Sequence, residues 1–424
     1  MTAPSKLQDQ ILQQVLYTFL PVQHHLDFAS RGDSVKSLGP GKECVLDLNT
    51  CLNNNVMSVS ENTSVQLKCT VKWNAGEIEK SLTFTRPVTL YKTSAMTWSN
   101  ASMLSCFIMP NDPTVSSFVH QSIQKSRDAK LFSDKYVSMQ FTNAVELVNA
   151  MGLLPLNYVQ DPVAPAVDLM NVGFAVDTVR FPAETLSIRS GDCDDMTTLF
   201  CSILESCGIP CAIITVPGHI LAAFNTGLKS NDVWKNLDGV KTIDYDGNVW
   251  IPVETTIMTK GFFEAWKSAS ATLESKTVEE FIVISEKRQD YPPVSLTVEK
   301  KNIFVSGKIA AASKKDMDAM SGEIEKSLLL CQTGCKDAVK LNAIAGIYHK
   351  IGNDEKAVEV LNAAVLLDKN YDAAKRNLAS LYKKLGRDAE YKAIASTLKK
   401  ESSSRNASVS TERASSGDDD DWRE

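Results

Sequence analysis

Gly191-Asp192-Cys193-Asp194-Asp195 opens an amphipathic run that ends at Gly208, and one histidine, His219, follows at the head of the second strand-like segment beyond it. A thiol nucleophile and its base are often presented this way, the thiol at a helix start and the base on a strand packed nearby. At the first helical position a cysteine meets unpaired backbone N–H groups and the positive end of the helix dipole, which favour a thiolate. Asp192, Asp194 and Asp195 oppose that effect, so a histidine or a cation must stand close. The other histidines, His24, His25, His120 and His349, are remote in sequence, which leaves His219 as the candidate base. A carboxylate on a neighbouring strand would orient it. Glu254 is the choice, with Asp238 and Asp244 in reserve.

The elements that must position these residues are legible around them. Met196, Leu199, Phe200, Ile203, Leu204 and Cys207 form one stripe of a 3.6-residue period, which predicts a helix packed on a core. Asp192 is placed to cap it, Asp195 to complete a capping box, and Gly208 with Pro210 to stop it. Cys211 to Pro217 then reads as a buried strand, Pro217-Gly218 as a turn, and His219 to Phe224 as the returning strand. Asp246-Gly247 is a further turn, followed by a strand from Asn248 that carries Glu254. Cys193 also extends the apolar stripe by one turn, the position of an ordinary buried cysteine. The ordered thiol, imidazole and carboxylate favour the chemical reading.

Gly-Asp-Cys193-Asp-Asp, Pro-Gly-His219-Ile and Trp-Ile-Pro-Val-Glu254-Thr-Thr together resemble the Cys, His and Asp/Glu signatures of the transglutaminase-like superfamily, a branch of the papain-like fold that occurs in many bacterial proteins. Tyr158-Val-Gln-Asp161-Pro162 and Phe181-Pro182-Ala-Glu184-Thr-Leu186 are similar to the lead-in of that family. The likeness covers roughly residues 96–290. It implies a papain-like core in which Cys193 attacks a carbonyl, His219 relays the proton and Glu254 holds the imidazole; glutamate at 254, where aspartate is commoner, is one methylene longer. It also implies that an ion such as calcium can attach near Asp192 and Asp194 in some relatives. No other cofactor is expected, since the calcium-loop pattern fails at Met196 and the Cys207/Cys211 and Cys331/Cys335 pairs lack the further ligands of a zinc site.

The 424 residues are too many for one ordinary core, so a multidomain α+β protein is expected. Residues 1–95 alternate apolar and polar positions along Val65–Trp73 and Ser81–Tyr91, which predicts a β-sandwich-like domain, incomplete because few strand-like runs precede Cys44. The transglutaminase-like core takes 96–292, with first helices over 110–150 facing inward through Val115, Phe118, Val119 and Ile123. Tyr291-Pro-Pro293 marks the boundary, and 293–313 is expected to form a β-hairpin connector. In 314–400, Ala345, Tyr348, Gly352 and Asp354 recur as Ala379, Tyr382, Gly386 and Asp388 at the 34-residue period of tetratricopeptide helix pairs. Asp316 to Leu330 is the candidate for a degenerate earlier unit. Residues 401–424, serine-rich and then acidic, are expected to be a disordered tail.

A net charge of −6 gives no electrostatic case for nucleic acid. No apolar run approaches the roughly 18 residues of a membrane span. The first residues lack a secretory signal; the incomplete sandwich suggests that the chain starts downstream of an export signal, with an extracytoplasmic place if so. Ten cysteines permit a disulfide from Cys44 or Cys51 to Cys69. The function expected is thiol-dependent acyl transfer on a peptide or carboxamide. Hydrolysis by a cysteine peptidase or amidase is favoured over transamidation because water is always present. The alternative is a catalytically silent scaffold that binds a protein partner through its β-domain and repeats.

Overall fold

The computed structural model describes residues 12–21, 30–31, 35–38, 54–75, 77–128, 138–160, 176–229, 237–294 and 299–398. It mixes helix and sheet and ends in a helical segment. Two compact units divide the chain, one of residues 1–97 with 176–179 and one of 98–175 with 180–424. Among the described residues no helix is long and apolar enough to cross a membrane.

In the first unit, β1 (Leu12–Pro21), β2 (Ser30–Arg31), β3 (Val35–Leu38), β4 (Thr63–Ala75) and β5 (Ile78–Leu90) form an antiparallel sheet in the order β2-β1-β4-β5, with β3 also on β1. β4 and β5 pair without interruption from Thr63↔Leu90 to Ala75↔Ile78. Period-two alternation buries Val65, Cys69, Val71 and Trp73 of β4 on one face. β5 has no buried position along its length. The described strands therefore make one sheet and not the two facing sheets of a sandwich, and β1 to β3 lie ahead of Cys44, where the sequence shows few strand signals. β6 (Ala95–Thr97) pairs with β8 (Val176–Thr178) as a separate ribbon. Cys69 is a free, buried thiol, and the partners considered for it lie outside the described residues.

The second unit begins with α1 (Pro113–Asp128) and α2 (Met139–Gly152), which bury Val115, Phe118 and Val119 as the periodicity predicts. β7 (Asn157–Tyr158), α3 (Pro182–Ile188) and β9 (Ser190–Gly191) lead into α4 (Cys193–Ser206). β10 (Cys211–Val216), β11 (His219–Asn225), β12 (Ile243–Tyr245), β13 (Asn248–Val253) and β14 (Glu280–Val283) build one antiparallel sheet in the order β12-β13-β11-β10-β14. α5 (Phe262–Ser275) lays Ala269 against one face beside Ile214, Leu221, Ala223 and Trp250. On the other, Phe224 meets Phe141 of α2 at 6.4 Å between ring centres. Cover on both faces explains why β10 is a continuous apolar run with every residue buried.

Two expectations change beyond this sheet. Ile303–Ser306 makes no strand pair; it runs extended along α1, with Lys125 Nζ donating to the Val305 carbonyl at 2.6 Å and Lys301 N donating to Thr114 Oγ1 at 3.0 Å. Residues 295–298, the other arm of the expected hairpin, lie outside the described residues. Asp316–Leu330 belongs to one uninterrupted helix, α6 (Ile309–Gln332), and not to a helix pair. Its Ile309, Met317, Met320, Ile324 and Leu328 are buried and it packs on α1, α2 and α5, so it is part of the core. α7 (Ala338–Lys350) with α8 (Asp354–Leu367), and α9 (Asp372–Lys384) with α10 (Asp388–Ala395), follow as two helix pairs. Gly352 and Gly386 end the first helix of each pair at φ 81° and 71°, in the left-handed region that glycine enters at least cost. The serine-rich, acidic segment 401–424 lies outside the described residues.

Candidate active site

The start of α4 is built as its sequence implies. Asp192 is the N-cap, its carboxylate accepting from Asp195 N while the Asp195 carboxylate accepts from Asp192 N, a complete capping box. Cys193 occupies the first helical position and is 1% exposed. Gly191 has to lack a side chain, because a Cβ there would stand 2.6 Å from Asp195 Cβ.

His219 is placed by the turn before it. Pro217 and Gly218, the latter at φ 69°, close a two-residue hairpin that pairs Val216 with His219. β13 lies beside β11 with Val253 opposite Ala222, and Glu254 is the next residue. Pro252 fits inside this sheet because its partner-free side falls beyond the last β12–β13 pair, Ile243↔Trp250, so no ladder bond is lost there. His219 Nε2 and Glu254 Oε2 are 2.7 Å apart. The second carboxylate oxygen accepts from Thr256 N at 3.2 Å and Thr256 Oγ1 at 2.6 Å, so both oxygens are fixed. Asp238 and Asp244, the reserves for this role, are exposed.

The thiol helix and the carboxylate segment are tied together. Thr197, one turn after Cys193, shares a 3.1 Å hydrogen bond with Thr255, next to Glu254, and both are buried. α4 also packs on β11, which carries His219. Burial first, then Asp194, Asp192 and Glu254, push the Cys193 thiol well above the ordinary cysteine range. Burial also acts to raise Glu254, but the bonds from His219 and Thr256 outweigh it and hold the carboxyl below its usual range. Nε2 is the imidazole nitrogen that Glu254 engages.

One residue that the sequence reading did not single out belongs here. Arg180 donates through its backbone N to Asp195 Oδ1 at 2.6 Å and through Nη1 to Asp195 Oδ2. It neutralises one of three carboxylates crowded at the helix start. Burial and Asp192 still push Asp195 up to about 6, against the pull of Arg180. No local pattern announces this pair, since an arginine 15 residues upstream has no periodic relation to the cap.

Carboxylate oxygens of Asp192, Asp194 and Asp195 lie within 4.8 Å of one another. Both Asp195 oxygens are also engaged by Arg180 and an Asp192 oxygen by the cap. No family model, curated protein or solved structure matches the chain.

Proposed function

We propose that the chain is a thiol acyl-transfer enzyme acting on peptide or carboxamide substrates, with a papain-like, transglutaminase-like core. Cys193 is the nucleophile, His219 the base and then the acid, and Glu254 the residue that positions the imidazole. The reading rests on the 2.7 Å bond between His219 and Glu254, with the Glu254 segment tied to the Cys193 helix through the Thr255–Thr197 bond. A carboxylate fixed on one ring nitrogen orients the ring and stabilises the imidazolium formed when the other nitrogen takes a proton. Since the thiol is held in its protonated form, its proton passes to His219 as sulfur attacks. The Cys193 backbone N–H, at the first turn of α4 where no carbonyl of the helix accepts it, is one donor for the oxyanion.

Water as the second acceptor gives hydrolysis, and hydrolysis is the outcome favoured, by a cysteine peptidase or amidase. A second reading, a silent scaffold that binds protein through the helix pairs, is favoured by the 1% exposure of Cys193. A peptide-carboxamide library separates the two: amine or ammonia release by the parent should vanish in Cys193→Ala. Equal release by both proteins, or none by the parent, would favour the scaffold.

A further inference from the structure

The phenol of Tyr158 has no part in the chemistry so far, yet the fold spends a parallel two-strand ladder to place it. β7 pairs with β9 so that Asn157 lies opposite Ser190 and Tyr158 opposite Gly191, two residues before Cys193. Asn157 N donates to the Arg189 carbonyl and Val159 N to the Gly191 carbonyl, each at 2.9 Å, which clamps Tyr158 on both sides. The thiol is 1% exposed and Tyr158 45% exposed, and the phenol feels the charges of Cys193, Asp192, Glu254 and Asp194. We propose that Tyr158 donates the second hydrogen bond to the oxyanion formed when Cys193 attacks a carbonyl, opposite the Cys193 backbone N–H. The inference deepens the acyl-transfer reading and rests on it.

Electrostatics support a phenol in that role. Partial burial, then Cys193, Asp192, Glu254 and Asp194, raise the Tyr158 pKa, so the hydroxyl keeps its proton and remains a donor throughout the working range. A lysine or arginine at this place would be captured by those carboxylates. A neutral hydroxyl has no charge to pair and is left for charge that develops only during reaction.

The step balances as follows. The Cys193 sulfur bonds to the carbonyl carbon, the π pair moves onto oxygen, and the thiol proton goes to His219. Collapse restores the C=O and breaks the bond to the leaving nitrogen or oxygen, which departs with the proton from His219. Water then cleaves the thioester to a carboxylic acid and the free thiol. Tyr158 is needed only while oxygen carries the charge.

That restriction defines the test, made on the full chain with peptide-resolved mass measurement at Cys193. Acetylation by p-nitrophenyl acetate passes through an oxyanion; alkylation by iodoacetamide displaces iodide at a saturated carbon and forms none. Tyr158→Phe should slow acetylation of Cys193 by about 100-fold, the scale of losing one oxyanion donor, and leave its alkylation unchanged. Unchanged acetylation in a reactive parent would overturn the Tyr158 assignment alone, and an equal fall in both reactions would assign Tyr158 to the thiol instead of the oxyanion. A parent whose Cys193 is alkylated but never acetylated would overturn the acyl-transfer reading along with it.

Discussion

Cys193 sits where a helix dipole would lower a thiol pKa, yet burial and three carboxylates win and hold it protonated. The expected consequence is kinetic: residue-resolved alkylation of Cys193 by iodoacetamide should keep rising with pH beyond 9. A plateau near neutrality would mean a preformed thiolate. Glu254 offers a sharper test of the third role. Glu254→Gln keeps the shape but can present the wrong hydrogen to His219, so the acylation rate should fall by about 10³- to 10⁴-fold, whereas Asp238→Asn and Asp244→Asn should leave it nearly unchanged. A small effect of Glu254→Gln would remove Glu254 from the mechanism. The sign of its pH effect follows from the lowered carboxyl. Stability from the His219–Glu254 pair is present above the ordinary carboxylate pKa and is lost as pH falls through the lowered one.

Asp195 runs the other way. Its pKa is raised from 3.8 to about 6, so the stability linked to it is full below 3.8 and is lost as pH rises through about 6, with Arg180 limiting the loss. Arg180→Met should therefore lower the melting temperature much more at pH 7.5 than at pH 4.5. Equal lowering at both would mean that Arg180 acts by packing alone. At the scale of elements, the helix cap, the Pro217-Gly218 hairpin and the Asn248 strand were all legible in the sequence, because each is written in adjacent residues with a fixed period or turn chemistry. The elements misread depended on distant partners. Ile303–Ser306 has β-type residues, but the Val305 carbonyl is taken by Lys125 of α1 and Lys301 N, just upstream, by Thr114 of α1, some 180 residues away. Asp316 on α6 likewise accepts from Asn149 Nδ2 at 2.9 Å and Phe262 N at 2.8 Å, capping α5 from outside its own segment. Asp316→Ala should cost about 1–3 kcal/mol, the scale of leaving buried donors without partners. A chemical denaturation midpoint equal to the parent's would contradict that cap.

For the molecule as a whole, the distinction that matters is between α6 and the helix pairs after it. A helical repeat contacts chiefly its neighbours, so a reading of 314–400 as one array would expect the core to survive deletion of it all. α6 instead fills the core beside α1, α2 and α5. Ending the chain after residue 334 should leave the rest of the second unit folded and Cys193 reactive, whereas ending it before residue 309 should abolish soluble protein. Equal behaviour of the two truncations would show that α6 and the pairs form one block.

The proposed reaction is attack of Cys193 on a carbonyl with His219 as its base. Intact-mass and peptide-resolved measurement of the acyl-enzyme, formed from an activated ester in parent and His219→Ala, tests it most directly. One acyl group on Cys193 in the parent and nearly none on it in His219→Ala is the expected result. An acyl group borne by exposed Cys331 in its place, or Cys193 acylated equally fast without His219, would contradict the account.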